Sequence, residues 1–146
     1  MNHRIEEAYC QYGTCVLLKR LGYDEYVSQW YCKEPESTSG IAVVAGHTHS
    51  LEHNTAFKDD GDLARPTQQA AMRWLREVHN TSVELSSGML IISEMKYWAV
   101  RLVDLNNLTD TPFLVGKFAM TYEQAAEKGI KRAVRNLLKK YAKDDV

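Results

Sequence analysis

Residues 66–141 read as helix, strand, strand, strand, helix, and that order leaves few folds open. Ala71, Trp74, Leu75 and Val78 recur at i, i+3, i+4 and i+7, one face of an amphipathic helix. Pro66 and Thr67 open it and Asn80 stops it. Thr81 to Leu85 follows as a strand, then the short apolar run Met89 to Ile92, strand or hairpin. Tyr97 to Leu105 is the strongest strand pattern. Trp98, Val100 and Leu102 alternate there with Tyr97, Ala99, Val103 and Leu105, so both faces are largely apolar, Arg101 and Asp104 excepted. Asn106-Asn107 and Thr109-Asp110-Thr111-Pro112 form a turn, and Phe113 to Phe118 is a further strand. Thr121 and Gln124 have the spacing of a capping box. They open a helix whose apolar stripe is Ala126, Ile130, Ala133, Leu137 and Tyr141. Gly129 inside it costs ~1 kcal/mol relative to Ala, a cost that a closely packed neighbour would explain. The expected fold is α+β: an antiparallel sheet of three or more strands packed on one face by these two helices.

The first sixty residues are less regular. Val16, Leu17, Leu18 and Leu21 form a short apolar helical face, with Thr14 as N-cap and Gly22 at the left-handed C-terminal position. Arg4 to Gln11 suits an earlier helical turn, and Tyr26 to Cys32 is β-prone. Residues 34–64 read as a long, partly flexible connection around the apolar piece Ile41 to Val44. The expected organisation is an N-terminal helix–strand unit over residues 1–60 with a long polar loop, then an α-β-β-β-α unit over 61–146, or both joined in one compact domain.

Composition narrows the class. With 146 residues, 45% hydrophobic and 25% charged, the chain can bury a core without a disulfide or metal staple. The net charge of −1 excludes a bulk polycation. It is unevenly spread: residues 1–65 hold 6 Lys+Arg and 10 Asp+Glu, net −4, and residues 66–146 hold 12 and 9, net +3. No apolar run approaches the ~20 residues of a membrane span, and Met1 to Glu7 has no signal-peptide pattern. Cys10, Cys15 and Cys32 are odd in number and lack a CxxC spacing, so reduced, buried thiols in a cytoplasmic protein are expected.

Two clusters could carry chemistry. Lys128, Arg132, Arg135 and Lys139 lie at i, i+4, i+7 and i+11 of the last helix, flanked by Lys131, Lys140 and Lys143. Such a stripe can contact phosphates. It equally suits a solvated face, with cations favoured toward the helix C-terminus and with Glu123 and Glu127 diluting the field. His47, His49 and His53, with Glu52 beside them, could converge on zinc, or could be chance neighbours in a polar loop. His79 reads as the C-terminal cap of the Trp74 helix, and Trp30, Trp74 and Trp98 as core. No nucleophile elbow, phosphate loop, dinucleotide glycine pattern or carboxylate pair appears, so no enzyme chemistry and no cofactor are expected.

The order of elements resembles the double-stranded-RNA-binding domain. In that family the second helix starts with lysines; here Tyr122, Glu123, Gln124 and Glu127 stand in their place. The resemblance implies the topology, and the acidic helix start argues against the phosphate chemistry. Tyr97 through Leu138 also resembles the HicB-type antitoxin pattern, a strand pair followed by a T-x-E-x-A helix. Pro66-Thr67-Gln68 through Trp74-Leu75-Arg76-Glu77-Val78-His79-Asn80 is similar to uncharacterised small proteins of phages and mobile elements in gut anaerobes. So are Leu17-Leu18-Lys19-Arg20-Leu21-Gly22-Tyr23 and Tyr122-Glu123-Gln124-Ala125-Ala126-Glu127-Lys128-Gly129. That resemblance touches most of the chain outside residues 34–62 and implies a shared fold without an assigned activity. The expected role is a non-enzymatic binding or accessory module of such an element, engaging a protein partner or, weakly, nucleic acid, with no membrane. The alternatives are a metal-dependent enzyme using His47, His49 and His53, and a homo-oligomeric accessory protein without a small ligand.

Overall fold

Two antiparallel sheets share one buried core. The computed structural model describes residues 7–35, 38–46, 51–58, 61–90, 95–115 and 121–144. In chain order the elements are α1 (Tyr12–Leu21), β1 (Gln29–Lys33), β2 (Ile41–Ala45), a 3-10 turn (Asn54–Ala56), β3 (Leu63–Ala64), α2 (Gln68–His79), β4 (Thr81–Leu90), β5 (Met95–Asp104), β6 (Thr109–Val115) and α3 (Tyr122–Asp144). The strand orders are β2-β1-β3 and β4-β5-β6. The mixed α+β class and the helix–three-strand–helix order of the second half are as the periodicities indicate.

α2 and α3 pack against β4, and α3 also against β5 and α1. In register, Val83 faces Leu102 and Leu85 faces Val100, so these four side chains share the inner face with Trp98. The other face of β5 carries Ala99, Arg101 and Val103, and Arg101 forks onto Glu84 Oε2 at 3.1 and 2.7 Å across the strand pair. Only the inner face is core. Ala126, Ile130, Ala133 and Leu137 of α3 are buried beside Ala125 and Val134. A Cβ on Gly129 would stand 2.9 Å from both Val83 Cγ1 and Val100 Cγ1. The glycine lets α3 settle onto the sheet closely enough to seal the apolar layer.

The caps follow their chemistry. Thr67 Oγ1 accepts from Ala70 N at 3.1 Å, and Asn80 closes α2 at φ 50°. Thr121 and Gln124 exchange bonds of 3.1 and 2.9 Å. Gly22, at φ 100°, ends α1.

Other expectations are corrected. Thr14 does not cap α1: the helix starts at Tyr12 with Gln11 in the cap position, and Thr14 is buried inside it. A cap arrives from elsewhere, since Gln11 N donates to Glu127 of α3 at 2.7 Å. Within the predicted turn Arg4 to Gln11, residues 7–11 are not helical, and Arg4 to Glu6 lie outside the described residues. Tyr9 bridges to Thr67, Cys10 N donates to Pro66 O and Gln68 N to Ala8 O, so this segment is stretched along the entry to α2. The described part of the expected connection over 34–64 holds two strands and a 3-10 turn. Ile41 to Ala45 pairs along β1, and Leu63 and Ala64 pair on its other side. The first sheet thus takes a strand from beyond residue 60. Thr81–Leu85 and Met89 merge into one strand, while Ile91 and Ile92 lie outside the described residues. The last turn is shorter than expected: β6 begins at Thr109, and Pro112, lacking an N–H, sits on an edge strand that tolerates it. Residues 116–118, the expected end of that strand, lie outside the described residues. On α2, Val78 is 54% exposed and Met72 is buried in its stead.

Cys10 and Cys15 are buried free thiols and Cys32 is half-buried. Burial raises the Cys10 thiol far above its ordinary range and pushes Cys15 up to about 12, so neither is a ready thiolate. Among the described residues no helix is long and apolar enough to cross a membrane.

Candidate nucleic-acid interface and neighbouring cavity

Lys128, Arg132, Arg135 and Lys139 are all exposed on α3, on the side turned away from Ile130, Ala133, Val134 and Leu137. Helical spacing sets them in one line because the apolar positions between them are drawn to the sheet. Glu127 does not belong to that surface. It is only 5% exposed, with Oε1 2.7 Å from Gln11 N and Oε2 3.0 Å from Gln68 Nε2. Residues 128–143 contain seven Lys and Arg and no Asp or Glu. The outer side of α3 is therefore more purely basic than the linear sequence indicates.

The histidine cluster is described only in part, because His47 and His49 lie outside the described residues. His53 Nδ1 lies 2.9 Å from Asp24 Oδ1, and its ring meets Tyr26 edge-on at 4.8 Å. Asp24 also accepts from Thr55 N and Thr55 Oγ1, each at 2.7 Å. The Thr55 bonds first, then His53, lower its carboxyl to about 2. Among the described residues no three His, Cys, Asp or Glu are grouped to hold a metal.

His79 is not the helix cap; Asn80 is. The imidazole packs edge-on against Trp74 at 4.6 Å and tilts on Tyr141 at 5.7 Å. Its Nδ1 lies 2.7 Å from the Tyr141 hydroxyl, while Nε2 is buried and has no hydrogen-bond partner among the described residues. Burial lowers its pKa, which keeps the ring neutral.

Beside His79 a cleft of about 210 Å³ opens under the C-terminal half of α3. Thr81, Asp104 and Thr109 form one row across the end of the sheet, each in register with the next. Asn136 and Lys140 of α3 stand over that row, with Leu102, Ala133 and Leu137 as the apolar wall. Asp104 accepts from Asn106 N at 2.9 Å and Asn107 Nδ2 at 3.2 Å, which orients its carboxylate. The sequence marked Asp104 only as an exception in an apolar strand. Register, not spacing along the chain, brings it beside the two threonines.

No protein-family model matches this chain, and no curated protein or solved structure is significantly similar to it.

Proposed function

We propose that the chain is a non-enzymatic binding module of a phage or mobile element, and that the outer side of α3 engages nucleic-acid phosphates without reading sequence. The observation that supports it is the line Lys128, Arg132, Arg135 and Lys139, exposed over about three turns while the neighbouring acid, Glu127, is turned inward. Side chains so spaced can each meet a phosphate of one backbone. The element of origin rests on the motif resemblance around residues 66–80 and 122–129. The net charge of +3 over residues 66–146 is too small for strong long-range attraction, so duplex binding weaker than about 1 μM at physiological salt is expected. Titration of a labelled duplex at several salt concentrations tests this. Affinity should fall by roughly 0.9 log unit per log salt for each phosphate contact and vanish in the Arg132→Glu/Arg135→Glu variant. Low-salt binding unchanged in that variant sinks the assignment to α3. No binding at any salt would favour a protein partner.

One observation favours a second reading, a metal-dependent enzyme using His47, His49 and His53. Asp24 holds the Nδ1 of His53, the outer-sphere arrangement by which carboxylates orient metal-binding imidazoles. Stoichiometric zinc in protein purified without a histidine tag, lost in His49→Ala, would support it.

A further inference from the structure

The cleft beside His79 lies one helical step from the basic line. Asn136 stands four residues beyond Arg132 and Lys140 four beyond Asn136, so a single row leads around α3 from the basic line to the edge of the cleft. At about 210 Å³ it exceeds the ~10–15 Å³ that one water requires, and falls below the ~300–1,000 Å³ of sites for drug-sized ligands. It fits a single flat ring system, not a whole nucleotide. Its polar groups are of two kinds. Asp104 and the Thr81 oxygen accept, and Thr81 already donates its proton to His79 O at 3.2 Å. Lys140 and the Asn136 amide can donate. The wall between them, Leu102 and Leu137, is apolar.

We propose that this cleft takes one unpaired nucleobase of a single strand whose phosphates lie along α3. The base presents an amino edge to Asp104 and its adjoining phosphate to Lys140. Carboxylates accept from base amino groups, and a base enters a cleft beneath α3 only after leaving its stack and its pair. The chemistry therefore selects single-stranded over double-stranded nucleic acid. This rests on the phosphate-binding reading of α3 and adds to it the kind of strand bound. No base identity is implied beyond an exocyclic amino group.

The full chain is titrated at one salt concentration with three probes: a labelled single-stranded DNA, the duplex of the same sequence, and the single strand with its central nucleotides abasic. The intact single strand should bind about tenfold tighter than either of the others, as one seated base contributes. Asp104→Asn should remove that advantage and leave duplex affinity unchanged. Because Asp104 also orients the 105–108 turn, Thr109→Trp provides a second variant: Thr109 is an exposed rim position, and the indole fills the mouth. Equal affinity for all three probes, or an advantage that survives both variants, overturns the cleft while leaving the α3 reading intact. Failure of every probe to bind overturns both.

Discussion

One carboxylate, Glu127 of α3, receives both the backbone N–H of Gln11 and the side-chain amide of Gln68. Gln11 is the cap residue of α1 and Gln68 the first residue of α2, so a single buried acid sits where two helices begin. Each helix start carries partial positive charge, which suits an anion. Gln68 Nε2 also donates to Glu123 O at 2.8 Å, fixing the amide between two acceptors on one helix. The three helices are thus tied at one point by polar bonds inside an apolar layer. Glu127→Ala leaves Gln11 N–H without its acceptor and deprives Gln68 of one, each worth about 1–3 kcal/mol when buried. A loss of at least about 2 kcal/mol is expected in chemical denaturation, with Glu127→Gln between the two proteins. A variant as stable as wild type would mean water satisfies these donors.

Trp74 is expected to be among the costliest side chains to truncate. It is 7% exposed and meets Tyr23 edge-on at 5.0 Å and His79 at 4.6 Å. Trp74→Ala should cost ~3–5 kcal/mol, a large share of the 5–15 typical of a domain. Denaturant midpoints measure it, and a loss under about 1 kcal/mol would show that the site collapses around the missing ring.

Gly129→Ala sets two effects against each other. Alanine gains ~1 kcal/mol of helix propensity. Its methyl would stand 2.9 Å from a γ-carbon of Val83 and another of Val100, two branched side chains with little freedom to withdraw. Overpacking of this kind costs about 1–3 kcal/mol, so the variant should be less stable despite the better helix former. Val83→Ala in the same chain should relieve part of the clash, visible as a favourable coupling in the double-mutant cycle. A stabilised single variant would mean α3 can lift from the sheet at no cost.

How far the sequence discloses this arrangement depends on the range over which each residue acts. Thr67, Asn80, Gly22 and the Thr121–Gln124 pair announce themselves because caps act within one turn. Ile41 to Val44 stands out as an apolar piece, but its pairing along β1 does not, because register joins residues separated by a polar stretch. Glu127 carries a signal that stripe reading passes over: it precedes Ile130 by three residues and Val134 by seven, so it shares their buried face. The basic line on α3 was legible in full, since exposure follows from helical period alone. The row Thr81, Asp104 and Thr109 was not, because only strand register joins residues so far apart.

Stability should fall on acidification in two windows. His79 is held neutral by burial, its pKa lowered from 6.5. The unfolded chain then takes up the proton first, so the contribution is present above about pH 6.5 and is lost as pH falls through the lower folded value. In the protonated ring both nitrogens are donors, so Nδ1 would donate to the Tyr141 hydroxyl 2.7 Å away. That hydroxyl can turn to accept, so the cost lies chiefly in charging a ring packed against Trp74 and Tyr141. Asp104 and Lys140, which line the same cleft, oppose each other in sign and limit the field at the ring. Asp24 is the second group, its carboxyl lowered from 3.8 to about 2 by Thr55 and His53. Its contribution is present above the ordinary value and disappears as pH falls toward 2. Denaturant unfolding across a pH series should show the upper window flattened in His79→Gln and the lower one reduced in Asp24→Asn. An upper window that persists unchanged in His79→Gln would place the titrating group elsewhere.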